Sequence, residues 1–451
     1  MKLLHVIAGA PVGGAETFAQ DAIVALAQQG IEQVVITRPH PGVLARYAAA
    51  GVRVAPRDFG LADRALGVAA IRREAQALGA DLVHAWMSRA ASVIPPHMPC
   101  PVIGWFGDYY DLRHFKRCDH FMAVTPDIVR YILAEGAPPH RAGLINTFGD
   151  MPDASPVDRA SLDTPPDAPV ILVLSRMHAV KGIDTLLAAM VDVPGAYLWL
   201  AGDGPETGRY EAFSTRLGLD DLVRFLGWRN DRKALLEACD ICALPSRYEP
   251  FGTVIVEAWA MRRPLAAAAA AGARQYVTDG LTGLVSPIDD APALAANLRR
   301  LIAEPALRAR LVEAGFAEYQ RTFTRQTVTA RLIAYYQRAI TLGPRSADGY
   351  FAPVADAAGA DVLAARITDD EIGPDRAKAA ARVSLAYQAG GPEVAADATL
   401  LELSGVGRVL QPDGRILHIA EDRFDLLKAL PLWSEIEQGY GAAAARLAAG
   451  V

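Results

Sequence analysis

The chain has 451 residues, is 52% hydrophobic and 21% charged, and carries a formal net charge of −6. That length allows two or three domains with sizeable cores. No apolar run approaches the ~20 residues of a membrane-spanning helix, and no basic stripe with interleaved aromatics points to nucleic acid. The acid excess sits at one end: residues 1–344 carry 35 basic and 35 acidic side chains, residues 345–451 carry 10 and 16. Four cysteines make a poor disulfide framework. Cys239 and Cys242 form a lone C-x-x-C with no second pair or His cluster to complete a zinc site, so they read as core thiols.

The opening "MKLLHVIAGAP" has the ingredients of a short signal peptide, but its apolar run is brief and leads straight into "VGGAE". It reads as a first buried strand entering a glycine turn, in a cytoplasmic protein. A helix is expected from about Ala15 to Gln29, closed by Gly30. Then "QVVITR", "ADLVHAW", "CPVIGWF" and "HFMAVT" follow as short apolar runs separated by helical or loop segments. This alternation predicts βα units on a parallel sheet. Residues 150–169, "DMPDASPVDRASLDTPPDAP", read as a linker rich in Pro, Asp and Ser. The alternation restarts with "VILVLS", "YLWLAGDG", "VRFLGW", "DICALPS", "PLAAAAA" and "TGLVSP", then a long helix from about Arg325 to Thr341, ended by Gly343-Pro344. Beyond it lie a helical stretch, about Asp375 to Gln388, and a hairpin in "GRVLQPDGRILHIAED" turning at Pro412-Asp413-Gly414. The fold class is α/β, with two doubly wound domains. Their ligand would lie in a cleft outside the carboxyl ends of the strands. The expected boundaries are 1–165, 166–324, a helix 325–343 packing back on the first domain, and an acidic extension 344–451.

The stretch "RYEPFGTVIVE" places Glu249 and Glu257 eight positions apart around Pro250 and Gly252. The residue before Pro avoids helical geometry, so "RYEP" is loop and a helix starts near Thr253, running until Pro264. Gly252 lets backbone approach a ligand, and the amides of Phe251 to Val254 favour an anion such as phosphate. Carboxylates beside such a site are poor phosphate ligands but good acceptors for hydroxyls. A nucleotide sugar presents that pattern of sugar hydroxyls, diphosphate and ribose hydroxyls. Taken alone, the stretch also suits a helix start with incidental surface acids. "SRMHAVKG" adds Arg176 and Lys181, which suit phosphate oxygens, although it is not a P-loop and alone would also fit a solvated helix start. Gly13 and Gly14 follow the first strand without forming G-x-G-x-x-G, and the second strand ends in Arg38, not an acid for a ribose. A nicotinamide cofactor is therefore not expected. A glycine turn facing a phosphate or sugar and a plain tight turn both fit.

Together these residues resemble glycosyltransferase family four, retaining enzymes of the GT-B fold, over roughly residues 1–343. The match rests on E-x7-E at Glu249 and Glu257, on "SRMHAVKG", "AGDGPE" (201–206), "FLGW" (225–228), "LPSRYEPFG", "TDGLTGLV" and "GGAE" (13–16), in order and spacing. The resemblance implies that Arg176 and Lys181 neutralise the donor diphosphate and Glu249 accepts hydrogen bonds from the donor sugar. Amides of Phe251, Gly252 and Thr253 would hold the distal phosphate and sugar, with Glu257 on the ribose. Gly202 lies in the matched "AGDGPE", and backbone near Gly227 and Trp228 would meet the base. Gly13 and Gly14 would give the donor room from the other domain. No metal and no cofactor are expected beyond a UDP- or GDP-linked donor as co-substrate. Partners would be that donor and a saccharide or glycolipid acceptor, with peripheral contact at the inner membrane face left open. Two positions depart from the family pattern. Asp108 lies where many members carry a sugar-contacting His, with His84, His114 and His120 read as structural. Gln275 stands where an acid is usual. The expected activity is a retaining, metal-independent hexosyl transfer in bacterial surface polysaccharide or lipopolysaccharide assembly. A GT-B nucleotide-sugar epimerase and a non-catalytic nucleotide-sugar-binding scaffold are the competing readings.

Overall fold

The computed structural model describes residues 1–9, 13–59, 64–135, 137–149, 151, 154–345, 408–410 and 416–418. The chain divides into two compact units, Met1–Asn146 with Thr329–Val451, and Thr147–Val328.

The first unit is built on a seven-stranded parallel sheet in the order β3-β2-β1-β4-β5-β6-β7. Its strands are β1 (Lys2–Ile7), β2 (Glu32–Thr37), β3 (Arg53–Pro56), β4 (Leu82–Trp86), β5 (Val102–Phe106), β6 (His120–Ala123) and β7 (Ala142–Leu144). The central runs are apolar on both faces, as strands covered on both sides by helices must be; every residue of β4 and β5 is buried. Helix α1 (Gly14–Gln28) opens at the glycine turn. It is followed by α2 (Pro41–Ala49), α3 (Arg64–Leu78), α4 (Met87–Ser92) and α5 (Pro126–Ala134).

The second unit repeats the plan with six parallel strands ordered β10-β9-β8-β11-β12-β13. These are β8 (Val170–Leu174), β9 (Tyr197–Ala201), β10 (Val223–Gly227), β11 (Ile241–Leu244), β12 (Leu265–Ala268) and β13 (Leu284–Ser286). Between and after them run α6 (Ile183–Met190), α7 (Thr207–Arg216), α8 (Arg232–Ala238), α9 (Thr253–Ala260), α10 (Ala271–Tyr276), α11 (Ala291–Ala303) and α12 (Pro305–Thr322). The alanine-rich run forms β12 as Leu-Ala-Ala-Ala, all buried. Cys239 and Cys242 are buried free thiols beside and within β11.

The division into units falls upstream of residue 165, the expected boundary. Within the Asp/Pro/Ser-rich stretch, Arg159 and Thr164 bond to the rest of the second unit. The Arg159 guanidinium donates to Ala238 O at 2.9 Å and Asp240 Oδ2 at 3.0 Å, and Trp199 Nε1–H donates to the Thr164 hydroxyl at 3.0 Å. Helix α13 (Arg325–Leu342) belongs to the first unit from Thr329 onward. There the Tyr335 hydroxyl donates to Phe121 O and Arg141 O, both at 2.9 Å, and the Tyr336 hydroxyl meets His84 Nδ1 at 2.7 Å. Gly343, with φ 66°, ends α13, and its carbonyl accepts from Arg141 at 2.7 Å. His84 and His120 therefore serve the docking of this helix: His120 Nε2 lies 3.1 Å from Gly343 O.

Strands β14 (Arg408–Leu410) and β15 (Ile416–His418) pair antiparallel with Arg408 opposite His418, the two arms of the expected hairpin. Its turn and the helix expected at 375–388 lie outside the described residues. Among the described residues no helix is long and apolar enough to cross a membrane.

Candidate active site

In the second unit the chain leaves β8 in one direction and β11 in the other, so the sheet's topological switch point lies between these two strands. Ligands of open α/β sheets bind outside the carboxyl ends of strands at such points. Both charged loops singled out in the sequence emerge there. Arg176 and Lys181 follow β8; Glu249 follows β11.

Backbone contacts lock the two loops together. Arg247 N and Tyr248 N donate to Val180 O at 2.9 and 3.2 Å. Gly182 has φ 63°, and a Cβ there would collide with Pro245 O. On the other flank, Ser175 N and Met177 N donate to Ala201 O and Asp203 O, and a Cβ on Gly202 would collide with Ser175 O. Gly202 thus lets the end of β9 press against the loop that presents Arg176. Its amide also donates to Gly227 O at 2.8 Å. Gly227, φ 61°, ends β10 at a register shift, and Trp228 beyond it is 54% exposed.

At the centre, Lys181 Nζ donates to Glu249 Oε2 at 2.7 Å, both side chains being mostly buried. An ammonium has three N–H donors, so this bond leaves two for an anion while holding the carboxylate in place. Arg176 is exposed and has no carboxylate partner among the described residues. After Glu249, Gly252 adopts φ 87° and caps α9. The first helical bond runs from Ile255 N to Gly252 O, and the amides of Gly252, Thr253 and Val254 find no acceptor among the described residues. They form a positively polarised helix end suited to phosphate. The loop is fixed from behind. Gly272 N donates to Glu249 O at 2.7 Å. The buried Phe251 ring packs edge-on against Tyr276 and Phe323, at 5.2 and 6.1 Å between centroids.

Glu257, one turn into α9, is 2% exposed and accepts from Arg232 Nη1 at 2.5 Å. It is therefore no incidental surface acid. Arg232 is a residue that sequence reasoning missed, since nothing in the spacing ties it to a position 25 residues on. Helix α9 stops at Ala260, short of Pro264, because Arg262 turns left-handed at φ 52°. Gln275, at the position where an acid is usual, donates to Ala271 O in its own helix at 3.1 Å.

Gly13, Gly14 and Asp108 lie in the first unit, Gly13 and Gly14 beyond β1 and Asp108 beyond β5. Gly13 is the residue before α1, with extended backbone, and a Cβ there would strike the Glu16 carboxylate. Gly14 is exposed with open space where a Cβ would stand. Asp108 Oδ1 accepts from Tyr109 N at 2.8 Å. Burial, and then the charges of Asp108 and Glu16, push the Tyr110 hydroxyl well above its ordinary range.

Comparison with known proteins agrees with this architecture. Residues 12–150 match Glycosyltransferase Family 4, and residues 155–318 match Glycosyl transferases group 1. The chain is 35% identical over 332 residues to the lipopolysaccharide core biosynthesis glycosyltransferase LpsE of Rhizobium meliloti, covering 73% of this chain and 97% of that one. It is 31% identical over 348 residues to LpsD of the same organism, which bears the same description, covering 75% and 99%. Among solved structures, HepE of Anabaena in complex with UDP and glucose superposes with a TM-score of 0.64 at 23% identity, over 75% of this chain and 99% of that one, a likeness of fold. With its two doubly wound units and the paired acids Glu249 and Glu257, the chain belongs to glycosyltransferase family 4, with the GT-B fold, and is a glycosyltransferase.

Proposed function

We propose that the protein moves a hexosyl group, with retention of anomeric configuration, from a UDP- or GDP-linked donor to a saccharide or glycolipid acceptor in the assembly of bacterial lipopolysaccharide or surface polysaccharide. The observation that carries this reading is the Lys181–Glu249 pair at 2.7 Å beside the unbonded amides of α9. It sets a sugar-hydroxyl acceptor against a phosphate-binding corner. Arg176, Lys181 and the amides of Phe251, Gly252 and Thr253 hold the diphosphate. Glu249 accepts from the sugar, Glu257 accepts from the ribose, and the backbone at Gly227 and Trp228 meets the base. Gly202 supports the Arg176 loop. In the transfer step the bond from the anomeric carbon to the β-phosphate oxygen breaks, and the nucleotide leaves with the electron pair. The acceptor hydroxyl bonds to the same face, and its proton passes to the departing phosphate. Charge on the leaving group is met by Arg176, Lys181 and the helix end. No metal or further cofactor is assigned to this step. Gly13, Gly14 and Asp108 are assigned to sugar recognition on the same reading.

The role in lipopolysaccharide assembly is supported by the two Rhizobium relatives, which lend no support to the epimerase or the scaffold reading. The site of action is placed in the cytoplasm, with peripheral contact at the membrane where a glycolipid acceptor is anchored. The test is nucleotide release from UDP-, GDP- and ADP-sugars, with and without an envelope glycolipid extract. One donor whose nucleotide is released only with acceptor is the expected result. Release from none, despite tight binding of a nucleotide sugar, would overturn it in favour of a scaffold.

A further inference from the structure

Arg232 stands where local preference disfavours it. It is the first residue of α8, and a cation in the first turn of a helix opposes the macrodipole. A violated local rule calls for a tertiary reason, and the structure supplies one. Arg232 Nη1 donates to Glu257 Oε1 at 2.5 Å, from a side chain that is 39% exposed to one that is 2% exposed. One partner lies in the interior and the other reaches the surface, so the pair connects the buried face of α9 to solvent. Around Glu257 that face is apolar: Ile255, Val256, Ala258 and Trp259 are all buried.

An ion pair with one buried and one exposed partner is weak support for stability, because screening weakens it and an apolar residue could fill the buried position. A pair that adds little to stability at this place fits a functional demand on the carboxylate. The base of Arg232 is also held firmly. Trp228 Nε1–H donates to Asn230 Oδ1 at 3.1 Å, and the Arg229 guanidinium bonds both Asp231 oxygens at 2.8 and 2.5 Å. The turn 228–231 is thereby braced by its own side chains, directly before Arg232. A guanidinium is planar with donors at fixed angles, so it sets the plane of the carboxylate it meets.

We infer that Arg232 is a positioning residue that orients the Glu257 carboxylate to accept from the ribose hydroxyls of the donor nucleotide. This rests on the assignment of Glu257 to the ribose. It makes Arg232 a determinant of ribose against deoxyribose recognition, acting through Glu257 and not on the reacting atoms.

The test uses the full-length protein and free nucleotides, so it needs no acceptor. Dissociation constants for UDP, GDP and their 2′-deoxy counterparts are measured by calorimetry for wild type, Glu257→Ala, Arg232→Ala and Arg232→Lys. A lost hydrogen bond to a charged group predicts that wild type binds the deoxy form about tenfold or more weakly. Glu257→Ala should bring the deoxy-to-ribo ratio close to one. Arg232→Ala should reduce it to about two or three, and Arg232→Lys should restore part of it. An Arg232→Ala protein that folds and keeps the wild-type ratio overturns the inference while leaving Glu257 on the ribose. If Arg232→Ala does not fold, Arg232→Lys and Arg232→Gln decide by the same ratio. A wild-type ratio near one, or no binding of either nucleotide, overturns the ribose assignment and the inference with it.

Discussion

Acid should loosen the first unit through His5. The His5 ring sits in β1, in register with His84 of β4, and both are fully buried. Trp86 Nε1–H donates to His5 Nδ1 at 3.2 Å, so the ring proton is on Nε2, which meets Gln33 Oε1 at 2.9 Å. Protonating Nδ1 would oppose two N–H groups in a dry site. Burial, partly offset by the Gln33 bond, pushes His5 from its ordinary 6.5 down to about 4. Burial, and then the His5 charge, push His84 well below its ordinary range. A histidine depressed in the folded state contributes stability above its unfolded value, and that contribution is lost as pH falls towards the folded value. Integrating from pH 7.5 to 5 gives a loss of about 2 kcal/mol from His5 alone, with His84 adding in the same direction. The assay is hydrogen exchange of peptides from β1 and β4, which reads opening of this unit by itself. Opening free energy should fall between pH 6.5 and 5, and the fall should be shallower in His5→Gln, which is less stable at pH 7.5. Protection independent of pH, or equal slopes in wild type and His5→Gln, would refute the reasoning.

Tyr336→Phe leaves His84 Nδ1 buried without its hydroxyl and should cost about 1–3 kcal/mol of stability; thermal unfolding should shift down while donor KM stays unchanged. Gly252→Ala places a Cβ 2.9 Å from Ile255 Cδ1 and 3.3 Å from Glu249 Cγ at φ 87°. The left-handed conformation alone costs about 1–2 kcal/mol, so nucleotide binding by calorimetry should weaken by about tenfold. Lys181→Ala removes a cation from the leaving group and the partner of Glu249; kcat should fall on the order of 10²–10³-fold, with Lys181→Arg recovering part of it.

The βα alternation was legible because buried parallel strands are short continuous apolar runs; "VILVL" is buried along its whole length. The helix start near Thr253 was legible because Pro250 keeps Glu249 out of helical geometry and Gly252 disfavours helix. What joins Lys181 to Glu249, 68 residues apart, was not. That pairing follows from strand order, which places β8 beside β11, and strand order leaves no local trace in composition. The same holds for Arg232 and Glu257. The stretch 150–169 looked like a free linker because its Pro and Asp content is that of a loop; its Arg159 nevertheless finds carbonyls and Asp240 on the second unit. His84 and His120 were read as structural, but their contacts with Tyr336 and Gly343 could be named only once the fold brought α13 back to β4 and β6.

On the proposed function, Glu249 reads the sugar of the donor while the rest of the site reads its nucleotide. The most direct measurement compares wild type with Glu249→Ala in two ways: acceptor-dependent turnover, and binding of the free nucleotide. In Glu249→Ala, kcat/KM should fall on the order of 10²-fold, as expected for lost hydrogen bonds to a charged group, while the nucleotide dissociation constant should change by less than about threefold. Turnover retained at the wild-type level, or nucleotide binding lost in step with turnover, would contradict it.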